Sequence, residues 1–139
     1  MQFHQTIIKL RSRPRGFHLV TSEILAAIPE LSQFRIGFLH LFLQHTSASL
    51  TLNENASPDV RRDFRTWFDA AVPEQFAWTH TLEGDDDMPA HVRSVLTQTS
   101  IGVPIAAGRL ALGTWQGLYV WEHRKAPHDR RVTVSVIGE

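Results

Sequence analysis

The stretch FRIGFLHLFLQHTS, residues 34 to 47, constrains the fold more than any other part of the chain. Through Leu43 its large apolar side chains stand at both odd and even positions, so a strand built from it has no polar face. A one-sided strand alternates, and this one does not. It is therefore expected to run through the middle of a sheet with cover on both faces, taking His40 inside with it. The run then gives way to polar chemistry: QHTSASLTLNEN, residues 44 to 55, brings a histidine, hydroxyls, a carboxylate and amides together at the end of a core strand.

The segments on either side supply partners for that strand. Residues 2 to 12 alternate around Phe3, Ile7, Ile8 and Leu10, the pattern of a strand with one buried face, and RPRG breaks them. FHLV reads as a short second strand. Thr21 or Ser22 is placed to cap a helix with Ile24, Leu25, Ile28 and Leu31 on one face, and Pro29 makes its end short or irregular. After an extended segment carrying Leu50 and Leu52 on one face and Thr51 and Asn53 on the other, Ser57 and Pro58 mark a helix start. Asp59 suits the positive end of that helix, and Val60, Phe64, Trp67, Phe68 and Ala71 form its apolar stripe. Residues 74 to 87 form a long loop, after which Asp87 is expected to cap a helix that turns Val92, Val95 and Leu96 to the core. From residue 101 onward short strands alternate with glycine turns, predicting an antiparallel meander. Strands grouped around two or three helices, without strict alternation, place the chain in the α+β class, and 139 residues make one domain, 1–139.

Composition removes several functions. Lys plus Arg and Asp plus Glu number 14 each, so no net field draws the chain to nucleic acid or to an anionic membrane, and neither is expected as a partner. Without cysteine there is no disulfide, thiolate metal site, iron–sulfur cluster or thiol nucleophile. No stretch approaches the roughly 18 apolar residues of a membrane span, and the N-terminal residues lack a signal-peptide pattern, so a cytoplasmic location is expected. Neither a GxxxxGK[ST] loop nor a Rossmann glycine fingerprint is present.

Histidine is then the main source of metal ligands and proton carriers, and the chain has 8. His4, His18 and His40 lie within strand-like segments and suit structural hydrogen bonds. His123 and His128 flank a polar turn and are expected to be solvated. His45, His80 and His91 fall where regular elements meet polar loops. If they converge with a carboxylate such as Glu54, Asp59 or Asp87, they can hold zinc or another divalent ion; otherwise they serve as caps and loop hydrogen-bond partners. Gly113 and Gly117 bracket Trp115 and Gln116, which either present an aromatic plane and an amide to a planar ring or simply close a hairpin over the core. Arg130 and Arg131 open the last strand on opposite faces, so at most one points into a given pocket to clamp a phosphate or carboxylate.

GFHLVTSEI, QHTSASLTLNENASPDVRRD, HTLEGDDDMPAHV, PIAAGRLALGTWQGLYVWEHR and RRVTVSVIGE, taken together and in this order, resemble the YjbQ-like family, described both as uncharacterised and as secondary thiamine-phosphate synthases. The likeness runs from about residue 15 to the C-terminus. It implies one α+β domain of two packed, mainly antiparallel sheets with two or three helices, assembled as a homotrimer. It also implies a pocket with His45, Glu54 and Asp59 as catalytic groups and Asn53, Trp115, Gln116, Arg130 and Arg131 as substrate contacts. His45, His80, His91 and Asp87 would hold a divalent metal, zinc or magnesium. The reaction implied joins a hydroxymethylpyrimidine diphosphate to a thiazole phosphate with release of pyrophosphate, so the partner is a small phosphorylated molecule. Two other readings stay open: a metal-dependent hydrolase in which Glu54 takes a proton from the attacking water, and a non-catalytic trimer that captures a ligand.

Overall fold

The computed structural model describes residues 1–139 as two antiparallel sheets with helices. In chain order the elements are β1 (Gln2–Leu10), β2 (Gly16–Leu19), α1 (Thr21–Ala27), a 3-10 turn (Pro29–Gln33), β3 (Ile36–Leu43), β4 (Ala48–Glu54), α2 (Pro58–Ala71), α3 (Asp87–Leu96), β5 (Ser100–Ala106), β6 (Arg109–Leu110), β7 (Gln116–Glu122) and β8 (Arg130–Gly138). The larger sheet has the order β1-β8-β3-β5-β6 and the smaller β2-β7-β4. The α+β reading therefore holds, with two sheets and three α-helices in one domain.

The C-terminal half is not the expected meander. β5 and β6 form a hairpin whose Ala107 and Gly108 both take positive φ, as a tight primed turn requires, but β7 then leaves for the other sheet. β8 returns to insert between β1 and β3, pairing with both. Glycine spacing predicts where strands break; it carries no information on which sheet the next strand joins.

The inner faces of the sheets meet in one core. Leu39, Leu41 and Leu43 of β3 pack with Val132, Val134 and Val136 of β8, Ile101, Val103 and Ile105 of β5, and Leu50, Leu118 and Val120 from the smaller sheet. Ile24 and Ile28 close one side of it. A second, aromatic cluster lies between the smaller sheet and the helices, where Trp121 meets Phe68 edge-on at 4.6 Å and Phe17 stacks on Tyr119 at 4.0 Å. The smaller sheet is thus covered on both faces.

The larger sheet is covered on one. Ile36, Phe38 and Phe42 of β3 point outward and are exposed, with Phe3 and Ile7 of β1 and Ile137 of β8 beside them. Continuous hydrophobicity in β3 signalled two apolar faces correctly, but the chain buries only the odd-numbered one, and His40 on the even face is half-buried. Gly102 leaves room on that face for the Phe38 ring, which a Cβ there would strike at 2.1 Å.

Several helix details differ from the sequence pattern. Thr21 starts α1, but its hydroxyl accepts from the Leu118 N–H and does not cap, while Leu25 is turned out; the helix ends before Pro29 as expected. Trp67 is exposed and Phe68 carries the burial of α2. In α3, Val95 and Leu96 are exposed and the buried residues are Asp87, Pro89, Ala90, Arg93 and Ser94. That helix turns polar side chains inward because they bond to groups on the sheet and on α2. No helix is long and apolar enough to cross a membrane.

Candidate metal centre

Asp87 is the first helical residue of α3 and not its cap; Asp86 holds the cap position, and neither side chain caps the helix. With 2 % exposure, Asp87 is among the most buried charged groups in the molecule. One oxygen, Oδ1, accepts from Arg124 Nη1 at 2.6 Å. The other, Oδ2, lies 2.6 Å from His80 Nε2 and 3.2 Å from His91 Nε2. Burial disfavours the carboxylate, but the His80 hydrogen bond and the Arg124 charge outweigh it and hold the Asp87 carboxyl below its ordinary value. Arg124 is itself fixed by Asp86 Oδ2 at 3.1 Å and by the Glu83 carbonyl, so the carboxylate is oriented from behind.

The tautomer of His91 gives this cluster its chemical character. Its Nδ1 lies 2.8 Å from the Thr46 carbonyl, which can only accept, so Nδ1 carries the proton. In the neutral ring, Nε2 then turns a lone pair toward Asp87 Oδ2. Two acceptors facing each other need a cation between them, either a second ring proton or a metal ion. An imidazole whose outer nitrogen is fixed by a backbone carbonyl, beside a carboxylate fixed by arginine, is the arrangement that orients ligands toward a metal. Ligand atoms of His80, Asp87 and His91 lie within 4.8 Å of one another. His91 and Asp87 reach the same point because they are four residues apart on one helix face. The long loop brings His80 to meet them.

His45 does not join that group. Its Nε2 accepts the Arg131 backbone N–H at 2.8 Å, which puts its proton on Nδ1. Burial, then the Arg130 charge, push the ring below the ordinary imidazole value. His45 instead shares a groove of about 360 Å³ with Thr46, His91, Ser94, Thr97 and Thr99, where it stands as a neutral donor beside the His91 ring.

Arg130 and Arg131 separate as strand alternation requires, one buried and one exposed. Arg130 is not a free phosphate clamp in this chain, whereas Arg131 is held to His45 only through its backbone N–H and keeps an exposed side chain. Arg130 donates to both oxygens of buried Glu122, at 2.7 and 2.5 Å, and to the Ser47 carbonyl and hydroxyl, both at 3.1 Å, which occupies its fork. His123 is not solvated but 1 % exposed, with Nε2 at 2.8 Å from the Ser49 hydroxyl. Burial, then the Arg93 and Arg130 charges, lower its pKa to about 3.

The remaining predicted residues sit elsewhere. Ala48 pairs with Glu122 and Glu54 with Gln116, so six residue steps of strand, roughly 20 Å at the usual rise, divide the histidine end of β4 and β7 from the other. At that far end the Glu54 carboxylate accepts the Ala56 and Ser57 N–H groups in the turn that leads into α2, and the Ser57 side chain does not cap the helix. Asn53 Oδ1 accepts the Glu54 N–H. The Gln116 amide oxygen accepts the Gly113 N–H and closes the turn that carries Trp115, which is 64 % exposed. Asn55 Nδ2 secures the same turn through the Thr114 and Gln116 carbonyls. Asp59 pairs on the surface with Arg62. Of the expected set, the structure brings together His80, Asp87 and His91, sets His45 beside them, and leaves Asn53, Glu54, Asp59, Trp115 and Gln116 out of that pocket within one chain. Sequence reasoning missed Arg124 and the Thr46 carbonyl; Arg124 stands in a polar turn that looked merely solvated, and a backbone carbonyl leaves no residue signal.

The family described as "UPF0047 protein YjbQ-like" matches residues 6–139. The UPF0047 protein YjbQ of Escherichia coli O157:H7 is 46% identical over 137 residues, covering 99% of each chain. A UPF0047 protein of Synechocystis sp. is 47% identical, over 98% of this chain and 92% of its own. Among solved structures, an uncharacterised YjbQ/UPF0047 protein of Clostridium acetobutylicum superposes with a TM-score of 0.78 at 34% identity, covering 99% of this chain and 100% of its own. A YbjQ-like protein of unknown function from Sulfolobus solfataricus gives a TM-score of 0.86 over 99% of each chain; at 22% identity it speaks to the fold alone.

Proposed function

The chain belongs to the UPF0047 YjbQ-like family, and we propose that it is a small-molecule enzyme that holds a divalent cation on His80, Asp87 and His91 and acts on a phosphorylated substrate beside it. The observation that carries this reading is the His91 ring, whose proton is committed to Thr46 so that its free nitrogen and an ionised carboxylate face the same point. Two imidazoles and a carboxylate suit zinc or another divalent ion with positions left open. When bound, such an ion would neutralise charge on a departing phosphate or diphosphate. The chain's own residues do the rest. Arg124 keeps Asp87 ionised and oriented, Thr46 fixes the His91 tautomer, and His45 offers an Nδ1–H donor from the adjoining groove.

The specific reaction in this proposal is the joining of a pyrimidine diphosphate to a thiazole phosphate, in the cytoplasm, by a homotrimer, as the family resemblance implies. The apolar outer face of Phe3, Ile7, Phe38, Phe42 and Ile137 supports assembly, since it would be covered by other copies. A hydrolase that relies on Glu54 as its base finds less support, because that carboxylate is engaged by two backbone N–H groups at the opposite end of β4. The test is thiamine-phosphate formation by purified protein with magnesium or zinc, beside His91→Ala and with light scattering for the assembly. Product formed by wild type and reduced at least a hundredfold in the variant supports the reading; equal rates in the two would overturn it.

A further inference from the structure

A strongly positive concavity lies apart from the His80–Asp87–His91 cluster, with buried His123 behind its Trp121 wall. α2 presents Arg61 and Arg65, the segment before β2 presents Arg15, and α3 presents Arg93 around a cavity of about 170 Å³ walled by Phe17 and Trp121. Arg93 and His91 lie two residues apart, on different faces of α3, so the helix separates this cavity from the metal-ligand cluster.

The cations outnumber the carboxylates available to them. Asp69 alone accepts from Arg15 at 2.8 Å and from Arg93 at 3.0 Å, with Arg65 at 3.8 Å. Glu74 is shared between Arg15 at 3.4 Å and Lys125 at 2.9 Å. Arg61 has no carboxylate partner and lies 5.5 Å over the Tyr119 ring. Two of these guanidiniums also carry unused donors: Nε of Arg93, a residue 3 % exposed, and Nε of Arg61 are buried without a hydrogen-bond partner. A buried N–H left unpaired is destabilising, and more so on a charged group. Burial, then the Arg15 charge, lower the pKa of Arg93, the direction expected of a cation held among cations.

We propose that this cavity is an oxyanion site that receives the phosphoryl group of a small molecule, with Arg15, Arg61, Arg65 and Arg93 as its donors. Guanidinium forks converging from three elements suit a tetrahedral, doubly charged group better than a flat carboxylate. The volume is close to that of the roughly 150 Å³ cavity that admits benzene, enough for a phosphoryl group and its first attached atoms. This site stands independently of the proposed cation centre.

Isothermal titration with inorganic phosphate and with pyrophosphate, in metal-free buffer, tests it on the intact protein. One saturable site per chain is expected, weakened tenfold or more in Arg61→Gln and in Arg65→Gln and unchanged in His91→Ala. Arg65 is exposed, so its replacement keeps the test decisive even where Arg61→Gln fails to fold. The proposal is overturned if no saturable binding occurs, if Arg65→Gln binds as wild type does, or if binding is lost in His91→Ala and kept in the arginine variants.

Discussion

The two ends of the β4–β7 pair carry carboxylates from equally polar stretches of sequence, yet use them differently. At the far end, Glu54 accepts two backbone N–H groups in the turn ahead of α2, and Gln116 and Asn55 close a turn. At the near end, Glu122 neutralises a buried arginine, while Asp87 is gripped by Arg124 on one oxygen and shares the other between two imidazoles. Polar residues that satisfy backbone groups build structure; polar residues held by other side chains, with an atom left for a further partner, build a site. The difference lies in which partners they find, and those partners come from distant parts of the chain.

The largest expected effect separates the two ends by stability. Glu122→Gln leaves Arg130 buried without its counter-charge and should cost about 3–5 kcal/mol. Glu54→Gln retains an oxygen for the same N–H groups and should cost about 1 kcal/mol or less. Urea unfolding of the two variants reads the contrast, and similar losses would break it.

Acid sharpens the picture at the near end. His123 has an ordinary value of 6.5 and a folded value near 3, so in between the unfolded chain binds a proton that the folded chain refuses. Its contribution is therefore complete above pH 6.5 and declines by about 1.4 kcal/mol per unit as pH falls toward 3. His45, also lowered, acts in the same direction. Replacing His123 with Gln should flatten the stability profile between pH 6.5 and 4.5; an unaltered slope would mean that His123 is accessible to protons in the folded state.

Tyr119→Phe should have the smallest effect. It removes the 2.5 Å hydrogen bond from the phenol to the Glu54 carbonyl and keeps the stacking on Phe17. A loss of about 1 kcal/mol in unfolding is expected, with no change in cation affinity. A change in cation affinity would show that the two ends are coupled.

Much of the framework was legible in sequence because short-range patterns determine it. Alternation located β1 and sent Arg130 and Arg131 to opposite faces, Pro58 began α2, and Pro29 ended α1. The route of β7 and β8 between sheets was not legible, since it depends on pairing across the whole chain. Nor were the inward polar face of α3 and the burial of His123, because hydrophobic spacing cannot register a helix that packs through Arg93, Ser94 and Asp87. For the candidate site, residue type flagged His80, Asp87 and His91, but the same reasoning drew in Glu54 and Asp59, and only the fold sorts them.

The central claim concerns the cation, and elemental analysis of the purified, untagged protein tests it most directly, beside His91→Ala, His45→Ala and Glu54→Gln. About one divalent ion per chain, lost in His91→Ala and retained in the other two, is the predicted result. No ion in wild type after incubation with zinc or magnesium, or an ion that survives His91→Ala, would contradict it.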